Sequence, residues 1–161
     1  MVIVYVDASV RPGRTGGVGV VIHIDPPLES KRIRIPLEMP IPGTLSSNHA
    51  EILACLCAAR ALAGVSDLIL GLKQTVVVIK TDSAAAVSAV TNPSRVRSQQ
   101  TRAIAKTARD AWDDLRARGV ILGWHLKKIG RKDNPADACA AGARALYGEM
   151  FTCPPEPPQK T

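Results

Sequence analysis

Apolar residues along this chain follow two regimes. In the first, β-branched side chains run unbroken for a few positions and stop at an acid. Val2-Ile3-Val4-Tyr5-Val6 leads to Asp7, and Val76-Val77-Val78-Ile79-Lys80-Thr81 leads to Asp82. Runs this short and this apolar read as strands covered on both faces. Open α/β sheets place their ligand sites at the carboxyl ends of such strands. Each run is therefore expected to end at its aspartate, which sets two negative charges side by side. Like charges at close range are costly unless a cation lies between them.

In the second regime apolar residues recur at helical spacing. Ile104, Ala108, Trp112 and Leu115 line one face of a helix expected over Gln99–Arg118. Arg102, Lys106, Arg109 and Arg116 line another face, preceded by Arg95 and Arg97. Those cations form either a phosphate-binding surface or an ordinary solvated helix face. His49–Ala63 reads as an Ala/Leu-rich helix capped by Ser46, Ser47 or Asn48 and stopped by Gly64, with Glu51 in its first turn. A carboxylate there also suits the helix dipole. Ser83–Val90 reads as a short helix ended by Asn92-Pro93. Pro135 suits the first turn of a last helix reaching about Leu146, with Asp137 near its start.

Three further stretches return to the strand regime. The Gly, Pro and Arg residues of Ala8–Gly17 predict a turn, followed by a strand over Val18–Ile24. Lys31–Leu37 alternates basic and apolar residues from Arg32 to Ile35, as a half-exposed edge strand does. Pro40–Ser47 reads as a loop, Val120–Lys127 as the last strand, and Gly130–Asn134 as a basic turn. The order β-β-β-α-β-α-α-β-α implies an α/β fold: a mixed sheet in which an antiparallel meander of three strands is joined by two parallel strands, flanked by helices on both faces. One domain over residues 1–148 is expected, with residues 149–161 a Pro-rich tail.

Composition narrows the class. The 161 residues suffice for one real core, and with only five aromatics (two Trp, two Tyr, one Phe) that core must be aliphatic and Ala-rich. No apolar run approaches the ~20 residues that cross a bilayer, and no secretory signal pattern opens the chain. Cys55, Cys57, Cys139 and Cys153 show no zinc spacing and read as reduced thiols, hence a reducing interior such as cytoplasm or nucleus. The net charge of +7 around a local acidic site favours a polyanionic partner.

With these elements in place, the chain resembles the ribonuclease H family over Val2 to about Leu146. Val4-Tyr5-Val6-Asp7-Ala8-Ser9 is similar to the family's first-strand motif ending in Asp-Gly-Ser. Asn48-His49-Ala50-Glu51-Ile52-Leu53-Ala54 is similar to the helix motif that carries its essential Glu. Thr81-Asp82-Ser83 matches the Thr-Asp-Ser that ends its fourth strand, and Asn134-Pro135-Ala136-Asp137-Ala138-Cys139-Ala140 resembles the motif that opens its final helix. Each motif is weak singly; all four occur in the family's order, on the expected elements.

The resemblance implies a ribonuclease H-like fold and a catalytic, metal-binding set of Asp7, Glu51, Asp82 and Asp137. It implies two Mg²⁺ ions, with Mn²⁺ as an alternative. It also implies hydrolysis of the RNA strand of RNA–DNA hybrids to 5′-phosphate and 3′-hydroxyl ends. The chemistry agrees, because hard oxygen ligands suit Mg²⁺, and paired ions stabilise both the attacking and the leaving oxygen of a phosphodiester. Candidate substrate contacts are Ala8, Ser9, Ser47, Asn48, Ser83, Arg95, Arg97 and Arg102. Ser47 and Asn48 are also candidates for helix capping.

Three departures stand out. Ala8 replaces the usual Gly. The turn Lys128–Asp133 carries no loop His, as in the His-lacking branch of the family, and His125 reads as a structural or surface residue. Asn134 sits one residue closer to Asp137 than in the commonest form. The competing readings are a binding module that kept the fold without turnover, and a related nuclease acting on DNA. A monomer without membrane association is expected, either as a stand-alone enzyme or as a domain of a retroelement-type polyprotein with a reverse transcriptase.

Overall fold

The computed structural model describes residues 1–11, 14–24, 33–41, 45–69 and 72–147. Among them are five strands, β1 (Val2–Arg11), β2 (Arg14–Ile24), β3 (Ile33–Ile41), β4 (Val76–Thr81) and β5 (Gly123–Lys128). Four α-helices accompany them: α1 (Ser47–Val65), α2 (Ala84–Thr91), α3 (Gln99–Ala117) and α4 (Ala136–Tyr147). The strands form one sheet in the order β3-β2-β1-β4-β5. β1, β2 and β3 pair antiparallel, while β1–β4 and β4–β5 pair parallel. This is the mixed sheet expected from the element order. The expected tail lies outside the described residues.

The β-branched runs explain the centre of the sheet. Val2, Val4 and Val6 of β1 are buried and join Val77 and Ile79 of β4 in the main core. That core also takes in Ala50, Ile52, Ala54, Leu62, Ala105, Ala108 and Trp112 from α1 and α3. Small residues let α1 lie close on the sheet. Trp112, fully buried, fills the space between helices and donates from Nε1 to the Cys55 carbonyl at 3.0 Å. Tyr5, on the opposite face of β1, packs with Val21 against Ala136 and Cys139 of α4. Helices thus cover both faces.

Several boundaries differ from the sequence reading. β1 does not stop at Asp7, and Ala8–Gly17 is not a turn. The strand continues to Arg11 because β2 remains opposite it, with Asp7 facing Gly19 and Ser9 facing Gly17. Only the tip of this hairpin, residues 12–13, falls outside the described residues. β3 runs to Ile41, into what reads as loop. Pro36 and Pro40 are tolerated because β3 is an edge strand bonded only to β2, and Arg34, Pro36, Glu38 and Pro40 all face solvent. Gly64 lies inside α1, which ends at Val65. Gly119, at φ 68°, does stop the helix before it, as a glycine in the left-handed region can. Val120–Leu122 precede β5, which begins at Gly123 once the chain has reached the register of β4.

The packing of α4 depends on two missing side chains. A Cβ at Gly19 would overlap the Ala136 carbonyl oxygen, and one at Gly17 would overlap the Ala140 carbonyl oxygen. The helix backbone therefore rests directly on β2. Gly19→Ala is expected to lower stability by about 2–3 kcal/mol, the scale of overpacking, measured by urea unfolding. The same substitution should shift the amide resonance of Asp137 on α4.

Candidate active site

The site forms where the pairing of β1 with β4 ends. Tyr5 and Lys80 are the last paired residues, so Asp7 lies just beyond them on β1 and Asp82 just beyond the end of β4. The turn that carries Asp82 is held from both sides. The Ser83 N–H donates to Thr81 Oγ1 at 3.1 Å, and Ser83 Oγ accepts from the Ala86 N–H at 3.1 Å as the cap of α2. Thr and Ser around the aspartate thus fix its backbone and leave its carboxylate uncommitted.

Glu51 comes from α1. Ser46 is the cap, accepting from the His49 N–H at 3.3 Å. The helix starts at Ser47, earlier than its composition suggests, so Glu51 is past the first turn and the dipole argument for it fails. His49 ties this end of α1 to α3 through a 2.7 Å hydrogen bond between Nε2 and Thr101 Oγ1. Carboxylate oxygens of Asp7, Glu51 and Asp82 all lie within 4.8 Å of one another. Asp7 and Glu51 are buried, Asp82 half-buried.

Asp137 arrives on the first turn of α4. It is close enough to hydrogen-bond Asp7 and to raise its proton affinity, but its own Oδ1 accepts from Arg131 at 3.2 Å. The structure therefore brings three of the expected acids into one group and sets the fourth at its rim. The residue that seats α4 is Asn134. It is buried, its Nδ2 donates to the Val6 carbonyl at 2.9 Å, and its Oδ1 accepts from the Ala136 N–H at 3.2 Å. Asn134 thus caps α4 and pins it to the residue before Asp7. Its sequence context left its role open, because its main partner lies in the first strand.

Burial and mutual repulsion act on these acids in the same direction. Burial, followed by the charges of Asp82 and Asp137, pushes Asp7 up from 3.8 to about 7. Burial, followed by the charges of Asp7 and Asp82, pushes Glu51 up from 4.5 to about 8. A backbone hydrogen bond from Ala8 opposes both shifts. Glu51 Oε2 is buried without a hydrogen-bond partner among the described residues. A buried acceptor with nothing to accept from, inside a group of hard oxygen donors, fits a divalent cation.

The other expected contacts are spread around this group. Ala8 is half-buried, its side chain packed against the main core. Ser9 accepts a hydrogen bond from Arg144. Ser47 and Asn48 are exposed at the start of α1, freed from capping by Ser46. Arg95 and Arg97 are exposed beyond α2, whereas Arg102 is turned back onto the Val96 carbonyl at 2.7 and 2.9 Å. His125 is exposed on β5. Lys128, Ile129, Gly130 and Arg131 line a groove together with Asp82. Cys55, Cys57 and Cys139 are free thiols, and Cys153 lies outside the described residues. No described helix is long and apolar enough to cross a membrane.

No protein-family model matches the chain, and no curated protein matches it. Solved structures do. Ribonuclease H1 from the archaeon Halobacterium salinarum superposes with a TM-score of 0.67 at 21% identity, covering 90% of this chain and 98% of that one. A ribonuclease H1 isolated from compost by a metagenomic approach, LC11, solved in complex with an RNA/DNA hybrid, gives 0.67 at 22% identity over 91% and 99%. The amino-terminal RNase H domain of a Mycobacterium tuberculosis protein gives 0.65 at 17% over 92% and 96%. The chain has the ribonuclease H fold.

The raised acids make the metal-free protein sensitive to pH. Between about pH 4 and 8 the folded state keeps protons on Asp7 and Glu51 that the unfolded state has released. Its stability therefore falls as pH rises through that window. Glu51→Gln removes one of these groups. In chelator-treated protein it should melt higher than the parent at pH 8, by a few kcal/mol at roughly 1.4 kcal/mol per pKa unit. The difference should shrink towards pH 4, as read by thermal melting.

Proposed function

We propose that this chain is a ribonuclease H: a metal-dependent endonuclease that hydrolyses the RNA strand of an RNA–DNA hybrid and leaves 5′-phosphate and 3′-hydroxyl ends. The observation that carries the proposal is the group of Asp7, Glu51 and Asp82 at the break between two central parallel strands, with Asp137 beside it. Three elements distant in sequence are built to bring together charges that repel. That arrangement costs stability unless the charges have a shared use.

Asp7, Glu51, Asp82 and Asp137 would hold divalent ions, Mg²⁺ being the hard cation best suited to carboxylates. Such ions, when bound, activate water and stabilise charge on the leaving oxygen. The chain's own part is positioning. Thr81 and Ser83 fix the Asp82 turn, Asn134 holds Asp137 near Asp7, and the α1 cap sets the reach of Glu51. In the absence of a cation Glu51 holds a proton at neutral pH, which keeps the repulsion bearable.

The surroundings suit a nucleic acid read by its backbone. Arg131 and Lys128 flank the groove beside Asp82, and Arg95 and Arg97 offer guanidinium groups to phosphates further along. Ser47 and Asn48, exposed one turn ahead of Glu51 on α1, would present hydroxyl and amide groups to 2′-hydroxyls, which distinguish RNA from DNA. Contacts of this kind carry little base specificity.

Incubation with Mg²⁺ and labelled RNA–DNA hybrid, duplex DNA or duplex RNA tests the reading. Cutting is expected in the RNA strand of the hybrid only. Asp82→Asn should slow it at least about a hundredfold, beyond the 10–100-fold typical of an outer-shell partner, with an unchanged circular dichroism spectrum. Preferential cutting of duplex DNA, or full activity in Asp82→Asn, would overturn it.

A further inference from the structure

Arg131 stands out among the charged residues around the acidic group. It lies in the short 3₁₀ turn Arg131–Asp133 ahead of α4, and its guanidinium donates to Asp137 Oδ1 at 3.2 Å. The acid it holds is the one left out of the three-carboxylate group. The same arginine lines the groove beside Asp82. It is therefore placed between two anionic partners, the Asp137 carboxylate and whatever anion enters the groove. Both members of the pair are substantially solvent-exposed, at 77% for Arg131 and 45% for Asp137, so exchanging one partner for the other costs little.

We propose that Arg131 is a built-in counter-ion of Asp137 that competes with the divalent cation, and that a substrate phosphate in the adjacent groove draws it away, so that substrate raises the affinity of the site for metal. The proposal rests on the reading of Asp137 as a metal ligand. A carboxylate committed to a guanidinium through one oxygen is a poorer ligand, because Arg131 offsets its charge and would repel a cation brought beside it, so ion binding that uses Asp137 is opposed by Arg131. A phosphate offers the same planar fork two acceptor oxygens, a better match than the single oxygen it now contacts. By linkage, whatever favours the displaced arginine favours the ion, and ion binding favours the phosphate by the same factor. The groove and the acidic group then act as one coupled site.

Calorimetric titration of the chelator-treated full chain with Mn²⁺, without and with a hybrid whose RNA strand carries non-hydrolysable linkages, tests this. Hybrid should tighten Mn²⁺ binding in the parent protein. Arg131→Ala should tighten it without hybrid by roughly two- to fivefold, the size of an exposed ion pair, and should lose most of the further gain from hybrid. In the Asp137→Asn background, Arg131→Ala should have no effect, and Lys132→Ala, the neighbouring charge, should have none in either background. An unchanged Mn²⁺ affinity in Arg131→Ala overturns the inference and leaves the proposed activity standing. So does an equal gain from Lys132→Ala, or a gain that persists with Asp137→Asn, since both report a general field. A parent protein that binds no Mn²⁺ overturns the reading of the acidic site itself.

Discussion

Electrostatic repulsion between acids at the middle of a sheet is the constraint on which this molecule turns. Parallel pairing of β1 with β4 brings Asp7 and Asp82 to the same end of two adjacent strands, and α1 adds Glu51 from the flanking layer. An apolar core alone would disfavour that cluster. It persists because the rest of the fold is strong enough to hold it: a five-stranded sheet with an aliphatic core on one face and a helix seated directly on the other. Stability is concentrated away from the acids and opposed at them, as is common where strain serves function.

Each acid is supplied by a different structural device. Asp7 is placed by strand register, Asp82 by a turn with hydrogen bonds on both sides, Glu51 by a capped helix, and Asp137 by a helix pinned through Asn134. Register and turn are rigid. Asp137 itself is held at the surface by an exposed arginine. Two carboxylates on central strands, with a third from α1 and a fourth held at the rim by an arginine, make a preorganised acidic group.

Much of this could be read from the amino-acid order. The runs ending in Asp7 and Asp82, the amphipathic face of α3 and the stop at Gly119 are local signals, and local physics decides them. What escaped was decided across the fold. β1 passes Asp7 because β2 lies opposite, which no property of Ala8-Ser9-Val10 announces. Gly64, itself exposed, stays helical because a single glycine costs a helix only about 1 kcal/mol and Val65 after it packs against the main core. Asn134 has a partner 128 residues away. The pairing of Arg131 with Asp137 was equally hidden: a basic turn before a helix looks like solvent-facing punctuation until the helix is docked. Asp7 and Asp82 could be read from the runs that lead to them, and Glu51 and Asp137 from the resemblance to the ribonuclease H family; the residues that aim them could not.

The outermost strand, β3, has one more consequence. Positions 36 and 40 are imino acids, so two of its nine residues have no amide hydrogen. An extended peptide approaching this rim would meet gaps in the row of donors it needs. The antiparallel side of the sheet is therefore a poor template for strand addition. That protects a β-rich, basic protein from polymerising along its own border and leaves its acidic group, at the ends of the central strands, away from that border.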